Sequence, residues 1–190
     1  MIKEIDVFLQ EDAFTTIVNY IRSTEDWTPS SSALWDRRCI GAHHISDQKA
    51  IDAVFMLKDK ALSELVATFE IEAPLYVELF NLVRTFDSTD TTPHSDSSGN
   101  SGEDNGTSHR VYSSLLYLND DFTGGNIWFP NQNLEISPAP NKFITFNSDF
   151  EHLHGVKAVS NGVRYNITMF WTHDKEKAFQ EPFFNRSTHG

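Results

Sequence analysis

The sequence predicts a mainly β protein whose helices pack outside a sandwich or barrel core. Up to about residue 69 apolar residues recur at helical spacing; beyond Pro74 they recur in short runs punctuated by Gly, Asn, Asp and Ser. Helices first and many short strands afterwards is the order expected of a sheet core carrying its helices on one side. The length, 190 residues, suits one domain able to bury a core without covalent staples.

Taken in order, residues 5–9 read as a short strand. Over 12–21, Phe14, Ile17, Val18 and Ile21 share a helical face. Residues 27–45, with Pro29 and a serine run, read as irregular. Residues 47–69 read as one or two helices with Ala50, Ile51, Val54, Phe55, Leu62, Leu65 and Val66 as the apolar stripe. Strands are expected over 76–86, 111–118, 127–129, 143–146, 156–159 and 164–171, with Gly124-Gly125 as a turn. Residues 97–108, almost all Ser, Gly, Asn, Asp, Glu and Thr, bury little and are expected to form a mobile loop. The chain thus divides into a helical support (1–73), a β core (74–172) and an extension (173–190) whose Phe179, Phe183 and Phe184 should pack against the body.

Bulk properties narrow the function. Cys39 is the one cysteine, so no intramolecular disulfide exists, which favours a reducing, cytoplasmic setting. Residues 1–10 include Glu4 and Asp6 and do not read as a signal peptide or a membrane span. A formal net charge of −12 argues against nucleic acid, since only Arg37-Arg38 forms a dense basic cluster. An acidic surface instead aids solubility or steers a basic substrate.

The chemistry-bearing residues sit in the β half. His94 and Asp96 form a His-x-Asp pair, and in an extended chain alternate side chains point to the same face. His154 follows 58 positions after Asp96. Two imidazoles and one carboxylate on one side of an ion leave the opposite positions open, the arrangement used by non-haem Fe(II) centres. His152 would share the face of His154 and is the alternative ligand. Arg164 lies ten positions beyond His154, and that spacing favours His154. If Ser160-Asn161-Gly162 is a three-residue hairpin loop with Gly162 left-handed, Ala158 pairs with Arg164 and His154 shares its face. The offset is then roughly 13 Å at about 3.3 Å per residue, a gap that a small dicarboxylate and an Arg side chain can span. Arg offers a terminal carboxylate two parallel charge-assisted hydrogen bonds. Along the last strand Tyr165, Ile167, Met169 and Trp171 form an apolar set facing the core, and Arg164, Asn166, Thr168 and Phe170 face the other way.

These segments resemble the prolyl 4-hydroxylase-like branch of the 2-oxoglutarate/Fe(II)-dependent oxygenases. The resemblance rests on Thr-Pro-His94-Ser-Asp96, Tyr-Ser-Ser-Leu-Leu-Tyr117-Leu-Asn-Asp, Phe-Thr-Gly124-Gly125-Asn-Ile-Trp-Phe-Pro130 and His154-Gly-Val-Lys-Ala-Val-Ser-Asn-Gly-Val-Arg164-Tyr, and covers about 76–171. It implies a double-stranded β-helix (jelly-roll or cupin-like) core with the N-terminal helices on one sheet. It implies iron on His94, Asp96 and His154, and 2-oxoglutarate with its far carboxylate on Arg164 and Tyr117 and with Thr168 lining the pocket. It further implies O2 as co-substrate, ascorbate as accessory reductant, and hydroxylation of a proline-containing protein or peptide with release of succinate and CO2. Relatives carry tyrosines shortly before the His-x-Asp pair; Arg84-Thr-Phe86-Asp-Ser-Thr-Asp-Thr-Thr-Pro93 has none, which weakens the inference of a prolyl target.

The alternatives are a hydroxylase of a free amino acid or other small molecule, sharing the same catalytic residues, and a non-catalytic jelly-roll binding module, against which the triad and Arg164 argue. The 97–108 loop starts directly after Asp96 and is expected to close over substrate as a lid. His43-His44, His109, Arg37 and Arg38 read as surface groups, Trp27, Trp35 and Trp128 as packing residues, and Cys39 as a buried apolar one.

Overall fold

The computed structural model describes residues 1–29, 37–99 and 101–179. Its elements are β1 (Ile2–Ile5), α1 (Glu11–Ser23), β2 (Thr28–Pro29), β3 (Arg37–Gly41), α2 (Gln48–Phe69), β4 (Tyr76–Thr85), β5 (Arg110–Tyr117), β6 (Thr123–Gly124), β7 (Ile127–Phe129), β8 (Leu134–Ile136), β9 (Phe143–Asn147), β10 (Gly155–Val156), β11 (Val159–Ser160) and β12 (Arg164–Thr172).

The helices form where capping and patterning favour them. In α1 the first turn carries Glu11 and Asp12 and the last carries Arg22, charges that complement the helix dipole. Its inner face is Ala13, Ile17, Tyr20 and Ile21. Residues 47–69 make a single helix: the Asp47 side chain accepts from the Ala50 N–H at 2.8 Å, and the chain leaves through Glu70 in the left-handed region. The buried stripe is Ala50, Ala53, Val54, Leu57, Ala61 and Leu65, rotated from the expected one, and Val66 is exposed. Three of the six buried positions are Ala, and a stripe drawn through the larger apolar residues misses Ala53 and Ala61.

Seven antiparallel strands form the major sheet in the order β1-β9-β5-β12-β4-β3-β2; β10-β7-β8 and β11-β6 form smaller ones. The alternation along β12 gives the sheet two apolar layers. Ile167, Met169 and Trp171 join Phe80, Leu82, Leu116 and Phe143 beneath Ile17, Ile21, Val54, Leu57 and Leu65 of the helices. On the opposite face Leu115, Tyr117, Ile144 and Phe146 pack on Ile127, Phe129 and Ile136 of the β10-β7-β8 sheet. Two sheets enclose this second layer, and the helices cover only the outer face of the larger. That is the expected double-stranded β-helix core with its N-terminal helices on one sheet.

Several expectations change. The first strand is Ile2–Ile5, because Val7 takes a positive φ of 52° and turns the chain; Phe8 then stacks on Phe143 at 4.0 Å. Residues 27–45 contain β2 and β3, which extend the major sheet beyond β4, so the N-terminal portion supplies strands as well as helices. Strand β8 was not anticipated. The stretch 156–159 divides between β10, paired with β7, and β11, paired with β6. No 158–164 hairpin forms: β12 pairs with β4 and β5, and the left-handed residue is Asn161 (φ 53°) rather than Gly162, whose φ is 154°. The 161–163 segment therefore crosses from one layer to the other. Phe179 packs on the core and its N–H bonds the Val77 carbonyl at 2.8 Å; Phe183, Phe184, Trp35 and the serine run at 30–32 lie outside the described residues.

Candidate active site

His94 and His154 are locked together by their backbones. They form an isolated antiparallel bridge with both N–H···O bonds made, at 2.9 and 3.0 Å. Each imidazole Nδ1 lies 3.1 Å from the carbonyl two residues earlier, Thr92 for His94 and His152 for His154. A carbonyl can only accept, so these bonds place the proton on Nδ1 and leave each Nε2 as a lone pair. The Nε2 atoms lie 3.8 Å (His94) and 3.4 Å (His154) from the Asp96 carboxylate oxygens.

Burial pushes the His154 imidazole below its ordinary pKa, against the pull of Asp96, and the ring is wedged between Phe146 (4.7 Å) and Phe129 (5.7 Å). It is therefore neutral at pH 7, and its contact with Asp96 is not an ion pair. Three atoms of metal-ligand type, two imidazole nitrogens and a carboxylate oxygen, within 4.8 Å of one another suit a cation. His152 turns the other way, its ring 2.6 Å from Asp149 Oδ1 and 2.7 Å from the Met1 amino group, and is not part of the cluster.

The second half of the site is built on β12. Asn166 lies opposite Tyr117 and Thr168 opposite Leu115, so Arg164, Asn166 and Thr168 share the face between the sheets. Arg164 is 5% exposed, and among the described residues no carboxylate pairs with it. Its Nη1 donates to Asn166 Oδ1 at 2.6 Å, Asn166 Nδ2 donates to Thr168 Oγ1 at 3.0 Å, and the guanidinium lies 5.0 Å from the Tyr117 ring centre. Arg164 Nε and the Tyr117 hydroxyl are both buried without a hydrogen-bond partner. A buried charge and two idle donors cost several kcal/mol unless an anion meets them. A carboxylate held by Arg164 and Tyr117 removes that cost, so these residues fit the far end of a dicarboxylate.

Neighbours hold Arg164 in place. The Asn119 side chain donates to the Val163 carbonyl and accepts from the Tyr165 N–H, both at 2.7 Å, gripping the backbone on either side of Arg164. Gly125 (φ 70°) makes room beside it: a Cβ there would lie 2.9 Å from Arg164 Cδ. The separation from the metal cluster is set by β12 itself. Phe170 lies opposite Ser113, whose hydroxyl touches Asp96, and it is six residues from Arg164. That is roughly 20 Å of strand at about 3.3 Å per residue, with the Arg164 and Asp96 side chains at the two ends.

The tyrosine-free stretch before His94 has a definite role. Ser88 Oγ, Asp90 Oδ1 and Thr91 Oγ1 accept from the N–H groups of Val159, Ala158 and Val156, at 3.1, 2.8 and 2.6 Å. Lys157 adds a contact to Asp90 at 3.2 Å. The Ser88 and Thr91 N–H groups in turn donate to the Val159 and Val156 carbonyls at 3.0 and 2.8 Å, so the segment is a strap zipped by backbone and side-chain bonds along the chain that follows His154. Periodicity could not reveal it, because the stretch is polar on both faces and shows no apolar alternation.

The remaining candidates keep structural roles. His109 and Arg110 pair with Glu78, and the Arg110 guanidinium stacks 3.9 Å from the Phe170 ring centre. His43 and His44 are exposed, Trp27 is buried against Tyr165 and Arg84, and Lys157 sits over Trp128. Cys39 is half-buried rather than buried. The loop after Asp96 is internally bonded, with a Ser98–Asp104 bridge and a Gly99 N–H to Glu103 carbonyl bond of 2.8 Å.

Residues 80–173, about half of the chain, match the 2OG-Fe(II) oxygenase superfamily, 2OG being 2-oxoglutarate. The chain belongs to that superfamily, which carries Fe(II), 2-oxoglutarate and O2 as its cofactor and co-substrates. Similar proteins within it include prolyl hydroxylases. Prolyl 3-hydroxylase 3 of Mus musculus is 38% identical over 78 residues, 38% of this chain and 11% of that protein. Prolyl 3-hydroxylase 1 of Homo sapiens is 41% identical over 70 residues, 34% of this chain and 10% of that protein. The chain thus spans about a tenth of the length of these curated relatives.

Among solved structures, a 2OG-Fe(II) oxygenase family oxidoreductase from Burkholderia pseudomallei superposes with a TM-score of 0.73 at 14% identity, covering 95% of this chain and 88% of that one. A Trichoplax adhaerens prolyl hydroxylase, solved with a hypoxia inducible factor peptide fragment, gives 0.69 at 20% identity, covering 95% and 87%. At these identities the superpositions establish the shared fold.

Proposed function

We propose that the protein is an Fe(II)- and 2-oxoglutarate-dependent hydroxylase of peptidyl proline, with His94, Asp96 and His154 as the iron ligands and Arg164, Tyr117 and Thr168 lining the co-substrate pocket. The observation that carries the reading is the buried, carboxylate-free Arg164 with its idle Nε beside the idle Tyr117 hydroxyl, on the face where the His-Asp-His cluster lies. When bound, iron with 2-oxoglutarate and O2 supplies an oxidative decarboxylation to succinate and CO2 coupled to conversion of a substrate C–H to C–OH.

The chain's own residues do the rest. His94 and His154 present Nε2 lone pairs in a tautomer held by backbone carbonyls. Asp96 contributes the negative charge that favours a divalent cation. Phe129 and Phe146 keep water from the inner side of His154. Arg164 and Tyr117 orient the dicarboxylate, so that its other end meets the metal ligands. The prolyl hydroxylase relatives support a peptidyl-proline substrate, and the proposal includes the loop that follows Asp96 as a lid over it. Deletion of that loop should weaken peptide binding and uncouple turnover; unchanged values reject the lid.

The test is succinate release by the purified chain with Fe(II), 2-oxoglutarate, ascorbate and a panel of proline-containing peptides and free amino acids. Amino-acid analysis then reads 3- against 4-hydroxyproline. Peptide-stimulated succinate that disappears in His94→Ala and Asp96→Ala supports the assignment. Stimulation by a free amino acid alone replaces the substrate class, and persistence of turnover in both variants refutes the metal ligands.

A further inference from the structure

We propose that Ser148 and Ser113 form a positioning relay that fixes the Asp96 carboxylate for metal binding; the inference rests on the metal assignment just made. Asp96 comes from a loop rather than a strand and needs external support. That support converges on Ser148, which is 1% exposed. Its carbonyl accepts from Ser95 Oγ at 2.8 Å, from Ser97 Oγ at 2.9 Å and from the Ser97 N–H at 3.1 Å, so both neighbours of Asp96 are tied to one oxygen. Ser148 is itself held by its N–H, which bonds the Val111 carbonyl at 3.0 Å.

Its side chain reaches the carboxylate through a second serine. Ser113, 2% exposed, lies 2.7 Å from Ser148 Oγ and 2.6 Å from Asp96 Oδ2. The polarity of the relay follows from chemistry. An ionised carboxylate only accepts, so Ser113 donates to Asp96; its one hydroxyl proton is then used, so Ser148 donates to Ser113. The backbone of Asp96 and one of its two oxygens are thus fixed from the same residue. The donated bond holds the negative charge in place and leaves Asp96 Oδ1 turned toward His94 Nε2, 3.8 Å away. Ser113 can do this because it lies on the inner face of β5, in alternation with Leu115 and Tyr117. It is a positioning residue, acting on the metal only through Asp96.

Partners of this kind typically contribute 10- to 100-fold in metal affinity. The experiment titrates the metal-free full chain with Mn(II), following free Mn(II) by electron paramagnetic resonance, alongside a thermal melt without metal. Ser113→Ala is expected to raise the Mn(II) Kd by about 10- to 100-fold. Ser113→Thr, which keeps the hydroxyl, should bind within a few-fold of the unmodified chain, and Asp96→Ala should show no saturable binding. Unchanged Kd in Ser113→Ala with binding lost in Asp96→Ala overturns the relay and leaves the metal site standing. Unchanged Kd in Asp96→Ala overturns both. If Ser113→Ala does not fold, Ser148→Ala carries the test: the carbonyl contacts remain and only the relay hydroxyl is lost, so a several-fold weaker Kd supports the relay and an unchanged one refutes it.

Discussion

Replacing Arg164 by Met separates a binding role from a structural one, because the two predict opposite outcomes. Met has similar length, no charge and no donors. As Arg164 has no carboxylate partner among the described residues, Met removes a buried cation and loses one neutral-acceptor bond, to Asn166 Oδ1. Because its donor is charged, that bond contributes about 1.5–3 kcal/mol, and relief of the buried charge meets or exceeds it, so metal-free stability should be unchanged or higher. The co-substrate loses far more. With Nη1 engaged by Asn166, two further donor contacts from Arg164 to a carboxylate are worth about 1.5–3 kcal/mol each. Taking about 3 to 4 kcal/mol together, the 2-oxoglutarate concentration for half-maximal succinate release should rise roughly 100- to 1,000-fold. The assays are urea denaturation of the metal-free chain and 2-oxoglutarate titration with saturating iron. A large loss of stability with unchanged 2-oxoglutarate dependence would refute the reasoning, since it would make Arg164 a fold-supporting residue with a partner of its own.

Asn119→Ala should raise the 2-oxoglutarate requirement about tenfold while leaving Mn(II) affinity unchanged, because it frees the backbone on both sides of Arg164 and touches no metal ligand; equal loss in both titrations contradicts this. Leu57→Ala, at a fully buried position of α2, should cost about 2–5 kcal/mol in urea denaturation, and a cost under about 1 kcal/mol would mean that α2 is not packed on the sheet. The metal-free chain should lose stability as pH falls below about 6.5: the unfolded His154 takes up a proton there, the buried ring does so only at lower pH, and the state binding more protons gains. His154→Gln should flatten that part of the stability–pH curve, and an identical slope in the variant would show that other groups cause it.

The parts of the site visible in the sequence are those that strand alternation controls. Arg164, Asn166 and Thr168 opposite Ile167, Met169 and Trp171 is a period-two pattern, and the structure places the two sets in the two predicted layers. His94 and Asp96 were legible as donor types with a shared direction. The expected means of bringing His154 toward Arg164 was wrong. Both reach the space between the sheets, yet through a crossover and a strap rather than a hairpin: Ser88 and Thr91 pair through backbone bonds as well as side-chain oxygens and Asp90 through its carboxylate, in a polar stretch with no apolar alternation to mark the pairing. Ser148 and Asn119 were invisible for a related reason: each bonds backbone groups far along the chain, and nothing in the local pattern names those groups. Strands β2 and β3 escaped because they lie in a polar stretch broken by Pro29 and extend an existing edge, where pairing of β3 with β4, and of β2 with β3, decides their conformation.

The His94–His154 bridge joins residues 60 positions apart (154 − 94), so it closes a long loop. Closing such a loop costs roughly 3–4 kcal/mol of chain entropy by the logarithmic scaling with length. Here the strap's contacts and the two bridge bonds meet that cost within the fold itself. On the proposed assignment an incoming ion would find its two imidazoles already side by side and would not have to organise the chain around itself, unlike small domains that fold only on binding metal. Affinity would then go into selecting the ion and holding its ligands, and metal removal should leave the fold in place.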